Sequence, residues 1–395
     1  MLESVKLADI DITKICHKYA DKIIAWRREF HQHPELSHHE EWTSWRIQVE
    51  LDRLGIPYDC IDGSKSFVGR IIGEQPGEAI ALRADIDALP IQEETGAPYA
   101  SQFSGKMHAC GHDAHAAILL GAASALVELK AHLHGTVYLC FQAAEEVNGG
   151  AEEIVEYLEL RGGVKRVAGL HIMSNIPEGS ILIRDGATMF GLLLFKADVA
   201  GRGGHASRPD QSCDPIKAAC DLVLKLSSIP AYFCDPHQAA VVHIGQIQAG
   251  TRDNIFPDHA FIGGGARFFS QSVGEEILER ILSVAKGVGD AWGVKVDVQA
   301  SSILPPVYND PSIAKRAREH ALRTPGLTLC DPSQSVTGSD NVSLLLAKYP
   351  GVYAMLGGGN VERGITWAHH NTKFDIDECA LPKGAEWLAR VALDA

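Results

Sequence analysis

The stretch FQAAEEVNGG, residues 141–150, sets Glu145 beside Glu146 where an apolar run, GTVYLCFQAA, gives way to glycine. Adjacent carboxylates can divide the work of a hydrolytic metal site: one binds a cation, and the other carries a proton from attacking water to the departing amine. Here Glu146 is read as the ligand and Glu145 as the proton carrier. Strand neighbours face opposite ways, so both reach one site only if the backbone turns at 145–146, and VNGG makes such a turn plausible. Three further segments supply ligand types: Cys110 and His112 in MHACGHDAH (107–115), His171 in GLHI, and His369 and His370 in WAHHNTKFD. Thiolate, imidazole and carboxylate together suit zinc or a similar first-row ion, and a site with one open position activates water. Taken singly, a strand-end histidine is more often a hydrogen-bonded structural residue, and a lone cysteine a small buried one. Recurrence in four separate segments favours a metal.

Elements of two kinds must position these residues. Residues 79–90, 135–146 and 167–172 read as buried strands, short β-rich apolar runs with polar ends. Between them, 115–133 and 151–160 carry apolar residues at helical spacing. This alternation predicts an α/β sheet flanked by helices whose strand C-termini gather the polar residues. The segment 191–304 changes rhythm to strand, helix, strand, strand, helix, strand, a ferredoxin-like unit. From about 305 the pattern returns to helix, strand (GVYAMLGG), polar loop and final helix. The simplest organisation is a catalytic domain of residues 1–190 and 305–395 with 191–304 inserted as a smaller α+β domain.

Composition narrows the class. A chain of 395 residues with 46% hydrophobic and 22% charged residues is long enough for two domains and ordinary for a globular protein. No apolar run approaches a membrane span, and the start, with acidic residues and a helical rhythm, reads as a structural helix of a cytoplasmic protein. Nine scattered cysteines without CxxC spacing argue against a disulfide framework and for a reducing compartment. A net charge of −14 makes nucleic acid a poor partner.

MHACGHDAH, FQAAEE, GLHI, GRGGHASRP with its following DPI, NIFPD with Arg267 beyond it, and HNTKFDIDE, in this order, resemble the aminoacylase-type metal amidohydrolases that include auxin-conjugate and hippurate hydrolases. The likeness runs from FHQHPELSHHE to FDIDE. It implies a catalytic domain with a metal centre of one or two divalent ions (zinc, manganese, cobalt or nickel), an inserted lid domain through which a homodimer forms, and hydrolysis of a small-molecule amide joining an acyl group to an amino acid. It further implies that Cys110, His112, Glu146, His171 and His370 are the metal ligands and Glu145 the general base. His370 is preferred to His369 because it stands four residues before Phe374. By the same likeness His205 stabilises the oxyanion, while Asn254 and Arg267 hold substrate carboxylate or carbonyl.

Several positions depart from the family pattern. VTGSDNVS (336–343) offers Asp340 and Asn341 where a Glu-Asp pair is usual; Ala143 replaces a proline; Asp210 follows Pro209 where histidine is usual; Arg252 and Gly265 replace a small residue and a threonine. Arg208 and Arg252 hint at an anionic or aromatic substrate. Hydrolytic deamination of an aromatic amine on the same scaffold is the alternative reaction, distinguished by ammonia release without an amino-acid product. A binding protein on a retired hydrolase scaffold would show a degraded ligand set, whereas all five ligand positions hold competent donors.

Overall fold

A computed structural model describes residues 11–333 and 336–394, apart from the side chains of residues 301 and 302. The chain divides into two compact units, one of residues 1–186, 308–335 and 344–395, the other of residues 187–307 and 336–343.

The first unit is built on an eight-stranded mixed sheet, in the order Tyr58–Cys60, Phe67–Ile72, Thr136–Gln142, Ile80–Asp85, Arg166–Pro177, Gly351–Gly359, Ser180–Leu182 and Thr328–Leu329. Its four central strands are mutually parallel, with Asp85 opposite Gln142 and His171 opposite Met355, so their C-terminal ends open on one edge. Parallel strands need helical crossovers that cover both faces, which is why these runs are apolar almost throughout rather than alternating. Of the helices, His112–Glu128 is the most deeply enclosed, buried from His112 to Leu126. Its alanines and its one glycine let neighbours close in. A Cβ on Gly121 would stand 2.4 Å from Ile23 Cδ1 and 3.0 Å from Ala385 Cβ, so the helices Ala20–Gln32 and Ala380–Leu393 pack directly on its backbone.

Some boundaries differ from the sequence reading. The first helical pattern resolves into two helices, Ile12–His17 and Ala20–Gln32, while residues 1–10 of that reading lie outside the described residues. The helix expected from 115 begins earlier, at His112, and stops at Glu128, where a short 3-10 turn, Lys130–His132, takes over. The strand expected to end at GLHI runs on to Pro177, so His171 sits within it and not at its end.

The second unit carries a four-stranded antiparallel sheet in the order Ala240–Ala249, His259–Phe268, Gly191–Ala200 and Lys295–Leu304. The helices Pro215–Phe233 and Gln271–Trp292 complete the β-α-β-β-α-β order that the sequence rhythm predicts. Phe195, Leu222, Ile262, Phe268 and Ile281 anchor its own core. A Cβ on Gly265 would lie 2.9 Å from the Leu193 carbonyl oxygen, so a threonine would not fit there without movement.

Candidate metal centre

The turn after Thr136–Gln142 answers the question raised by the paired glutamates. Ala144 takes a left-handed conformation, φ 59°, and Glu145–Val147 form one turn of 3-10 helix closed by Asn148, also left-handed at φ 62°. The strand alternation is thereby broken between the two carboxylates, and both turn toward the same cluster. Ala143, where a proline would be usual, donates its N–H to Ser66 Oγ at 3.0 Å, a bond that proline could not make.

Three donor groups meet around Cys110 and His112. In each of the sets Cys110–His112–His171, Cys110–Glu146–His370 and His112–Glu145–Glu146, one ligand atom per residue lies within 4.8 Å of the others. A fourth set, Asp85–His112–His115, had no place in the sequence reading. Gly111 makes the approach between Cys110 and His112 possible: its φ is +91°, and a Cβ there would stand 2.6 Å from Ile172 Cγ2. His370 is another left-handed residue, φ 63°, whose N–H donates to the Ala109 carbonyl at 2.8 Å, tying the His369–His370 loop to the Cys110 segment.

Hydrogen bonds to one ring nitrogen aim the other into the cluster. His112 Nδ1 donates to the Asp87 carbonyl oxygen at 2.9 Å, with Asp87 Oδ1 at 3.1 Å, and Nε2 points inward. His171 Nδ1 donates to the Ile172 carbonyl at 2.7 Å, which leaves Nε2 3.5 Å from Cys110 Sγ. This is how metal-binding histidines are held: one nitrogen bonded outward, the other a free donor. His369 differs, because its Nε2 is spent on the Ile172 carbonyl at 2.9 Å and its ring packs on Phe374. His370 Nε2 instead stands 3.7 Å from Glu146 Oε1.

Burial dominates the electrostatics of the cluster. Burial pushes the Cys110 thiol well above its ordinary value and raises the Glu146 carboxyl, while it holds His171 well below the usual imidazole range. Burial opposes charge on His112 as well, yet Asp85 and Cys110 outweigh it and raise that imidazole well above its ordinary value. Two buried atoms in this cluster, His112 Nε2 and Glu146 Oε1, meet no hydrogen-bond partner. Orphaned buried donors and acceptors are costly, and a cation would satisfy both.

The structure also brings in residues that no motif had singled out. Asp85 accepts from His115 Nδ1 at 2.5 Å and from the fully buried Arg83 at 2.7 Å, while His115 Nε2 accepts the Ile172 N–H at 2.9 Å. Asp87 receives Ser37 Oγ at 2.7 Å and the Glu146 N–H at 3.1 Å, besides His112. The only sequence signal of Asp85 and Asp87 was position, two acids toward the polar end of a predicted buried strand, whereas His115 closes the MHACGHDAH stretch.

His205, Asn254 and Arg267 stand in the second unit. His205 pairs with Ile255 across a two-stranded ladder, and the Asn254 carbonyl accepts the Ala206 N–H at 3.1 Å. The His205 ring is exposed, its Nδ1 accepting from Ser207 at 3.1 Å. Arg267 lies on the four-stranded sheet, half-buried, and among the described residues no carboxylate pairs with it; burial lowers its guanidinium below its ordinary value. Of the unusual positions, Arg208 pairs with Asp210 at 2.8 Å on the surface, and Asp340 Oδ1 accepts the Val342 N–H at 2.8 Å. These are local structural contacts.

A peptidase family M20/M25/M40 profile matches residues 81–394. This chain belongs to that family. Among its M20 relatives, an N-acetylcysteine deacetylase of Bacillus subtilis is 36% identical over 94% of this chain and 96% of its own length. An IAA-amino acid hydrolase of Arabidopsis thaliana, ILR1-like 4, is 34% identical over 95% of this chain and 86% of its own. A dinuclear metal-binding M20 peptidase of Bacillus subtilis superposes with a TM-score of 0.83 at 32% identity, covering 96% of this chain and 98% of that one. The protein is an M20 hydrolase, with the mixed α/β catalytic architecture that its strands predict.

Proposed function

We propose that this M20 hydrolase cleaves the amide bond of an N-acyl amino acid, with Cys110, His112, Glu146, His171 and His370 holding one or two divalent ions and Glu145 serving as general base. The observation that carries the reading is the pair of buried, unpartnered atoms, His112 Nε2 and Glu146 Oε1, inside a cluster of thiol, imidazole and carboxylate donors. That donor set is borderline-soft and fits zinc, with manganese, cobalt or nickel as substitutes. When bound, such an ion supplies Lewis acidity to the scissile carbonyl and lowers the pKa of a water.

The chain's own groups do the rest. Glu145, which shares a donor set with His112 and Glu146, takes a proton from water as the C–O bond forms. It returns that proton to the amine nitrogen as the C–N bond breaks. His205 is assigned to the oxyanion, and Asn254 and Arg267 to the carboxylate of the amino-acid half. A half-buried arginine that no carboxylate pairs among the described residues supports that role. Relatives named for N-acetylcysteine and IAA-amino acid conjugates support an N-acylated amino acid as substrate.

Residues 1–190 and 305–395 are read as the catalytic domain and 191–304 as a lid that also joins two copies. The edge strand Ala240–Ala249, with Val241 and Ile247 exposed, supports the pairing. Nine free cysteines support a cytoplasmic setting, and no helix among the described residues is long and apolar enough to cross a membrane.

The test combines product and metal. Protein reconstituted with zinc or manganese is screened against N-acyl amino acids by product mass. Glu145→Gln is expected to keep its metal and lose at least about 100-fold in kcat. An undiminished rate in that variant, or release of ammonia with no amino acid, would overturn the reading.

A further inference from the structure

The start of helix Glu41–Leu54 is capped in an unusual way. Its N-cap residue is Glu40, but the Glu40 side chain makes no capping bond. Glu35 does that work instead, accepting the N–H groups of Trp42 and Thr43 at 3.1 and 2.8 Å and the Thr43 hydroxyl at 2.9 Å. An N-cap side chain ordinarily turns back onto its own helix. Glu40 turns away, into the protein, where it is fully buried.

Its destination is the turn that carries Glu145 and Glu146. Glu40 Oε1 accepts the N–H of Ala144 at 2.7 Å. Ala144 is the left-handed residue, and its carbonyl accepts the Gly149 N–H at 2.7 Å, so both its polar groups are committed. Two residues on, the N–H of Glu146 is taken by Asp87 Oδ2. The turn therefore hangs by two backbone N–H groups from two buried acids. An alanine keeps a left-handed conformation only where its surroundings over-determine it. Without Glu40 the Ala144 N–H is orphaned, and the alternation that strands prefer would draw the two glutamates apart.

We infer that Glu40 is a positioning residue, whose buried carboxyl fixes the Ala144 turn and so presents Glu145 and Glu146 to one site. The inference rests on the proposed roles of those two glutamates. Glu40 acts through the Ala144 backbone and not through the proposed ligand side chains.

The experiment compares Glu40→Ala, Glu40→Gln and Glu145→Gln in the full chain, by steady-state kinetics and by amide hydrogen exchange of the metal-free proteins. Glu40→Ala should lower kcat about 100-fold with KM little changed, the scale that small misplacement of a reacting group produces. It should also raise exchange in a peptide covering residues 142–150 without raising it along the chain, which general destabilisation would not do. Glu40→Gln keeps an acceptor for the Ala144 N–H and should restore the rate to within about threefold of the parent. A Glu40→Ala rate within about threefold of the parent, or unchanged exchange at 142–150, overturns the inference. If Glu40→Ala does not fold, Glu40→Asp withdraws the carboxyl by one methylene and should show the same two effects at about tenfold in rate; their absence overturns it equally. Full activity in Glu145→Gln would bring down the functional reading itself, whereas loss there with none at Glu40 would bring down this inference alone.

Discussion

His112 and His205 are both tied to hydrolysis by the motifs around them, yet they are built in opposite ways. His112 is buried, bonded outward through Nδ1, with Nε2 left aimed at other donors. His205 is exposed and finds its bond two residues away, at Ser207. The same contrast holds more widely: Cys110, Glu146 and His171 belong to a desolvated cluster, whereas Arg208 closes on Asp210 at the surface. Desolvation makes an unmet polar atom expensive, so a buried cluster advertises its ligand. Exposed residues have water as partner and advertise nothing.

The contrast can be broken most forcefully at the two histidines. His112→Ala should cost metal affinity beyond the ~10- to 100-fold that loss of a supporting contact costs, whereas His205→Ala should keep full metal content and lose rate. Metal analysis after dialysis, beside kcat, separates the two. Equal metal loss from both would erase the distinction.

A second measurement sharpens the buried side. Burial, with the charge of Asp87 second, raises the Glu40 carboxyl to about 7. A carboxyl whose folded value is raised gives its full contribution below the unfolded value and loses it as pH rises through the folded one. Between about pH 4 and pH 8, the unfolding free energy of metal-free Glu40→Gln should therefore gain about 3 kcal/mol relative to the parent. Denaturant titrations at the two pH values check this, and a flat difference would show that folding leaves the Glu40 carboxyl unshifted. The smallest effect is expected at the surface of the second unit, where Arg208→Ala should change kcat/KM and metal content by less than about twofold, because an exposed ion pair contributes little.

How much of this was legible in the sequence follows the same division. The helix Ala151–Leu160 and the β-α-β-β-α-β framework of the second unit were legible because apolar residues recur along them at helix or strand spacing. Cys110, His112, Glu146 and His171 were legible by residue type as members of one donor cluster. His171 was misplaced only in its setting, because nothing in the polar residues after GLHI signals that pairing with Gly351–Gly359 carries the strand on to Pro177. Glu40 and Asp87 were not legible as participants. Glu40 lies 104 residues from Ala144 and Asp87 59 residues from Glu146, and contacts between a side chain and a distant backbone N–H leave no periodic trace. The break between Ile12–His17 and Ala20–Gln32 was equally hidden, since no proline or glycine marks it.

The left-handed Ala144 bears on any attempt at transplantation. A designer who grafted FQAAEEVNGG onto another parallel sheet would bring the two carboxyl groups but neither of the acids that hold their backbone, nor the serine that meets Ala143. In the new host the decapeptide would relax toward ordinary strand geometry, one glutamate up and one down. The portable unit is a discontinuous one, the decapeptide together with Glu40, Ser66 and Asp87, gathered from three other places in the chain.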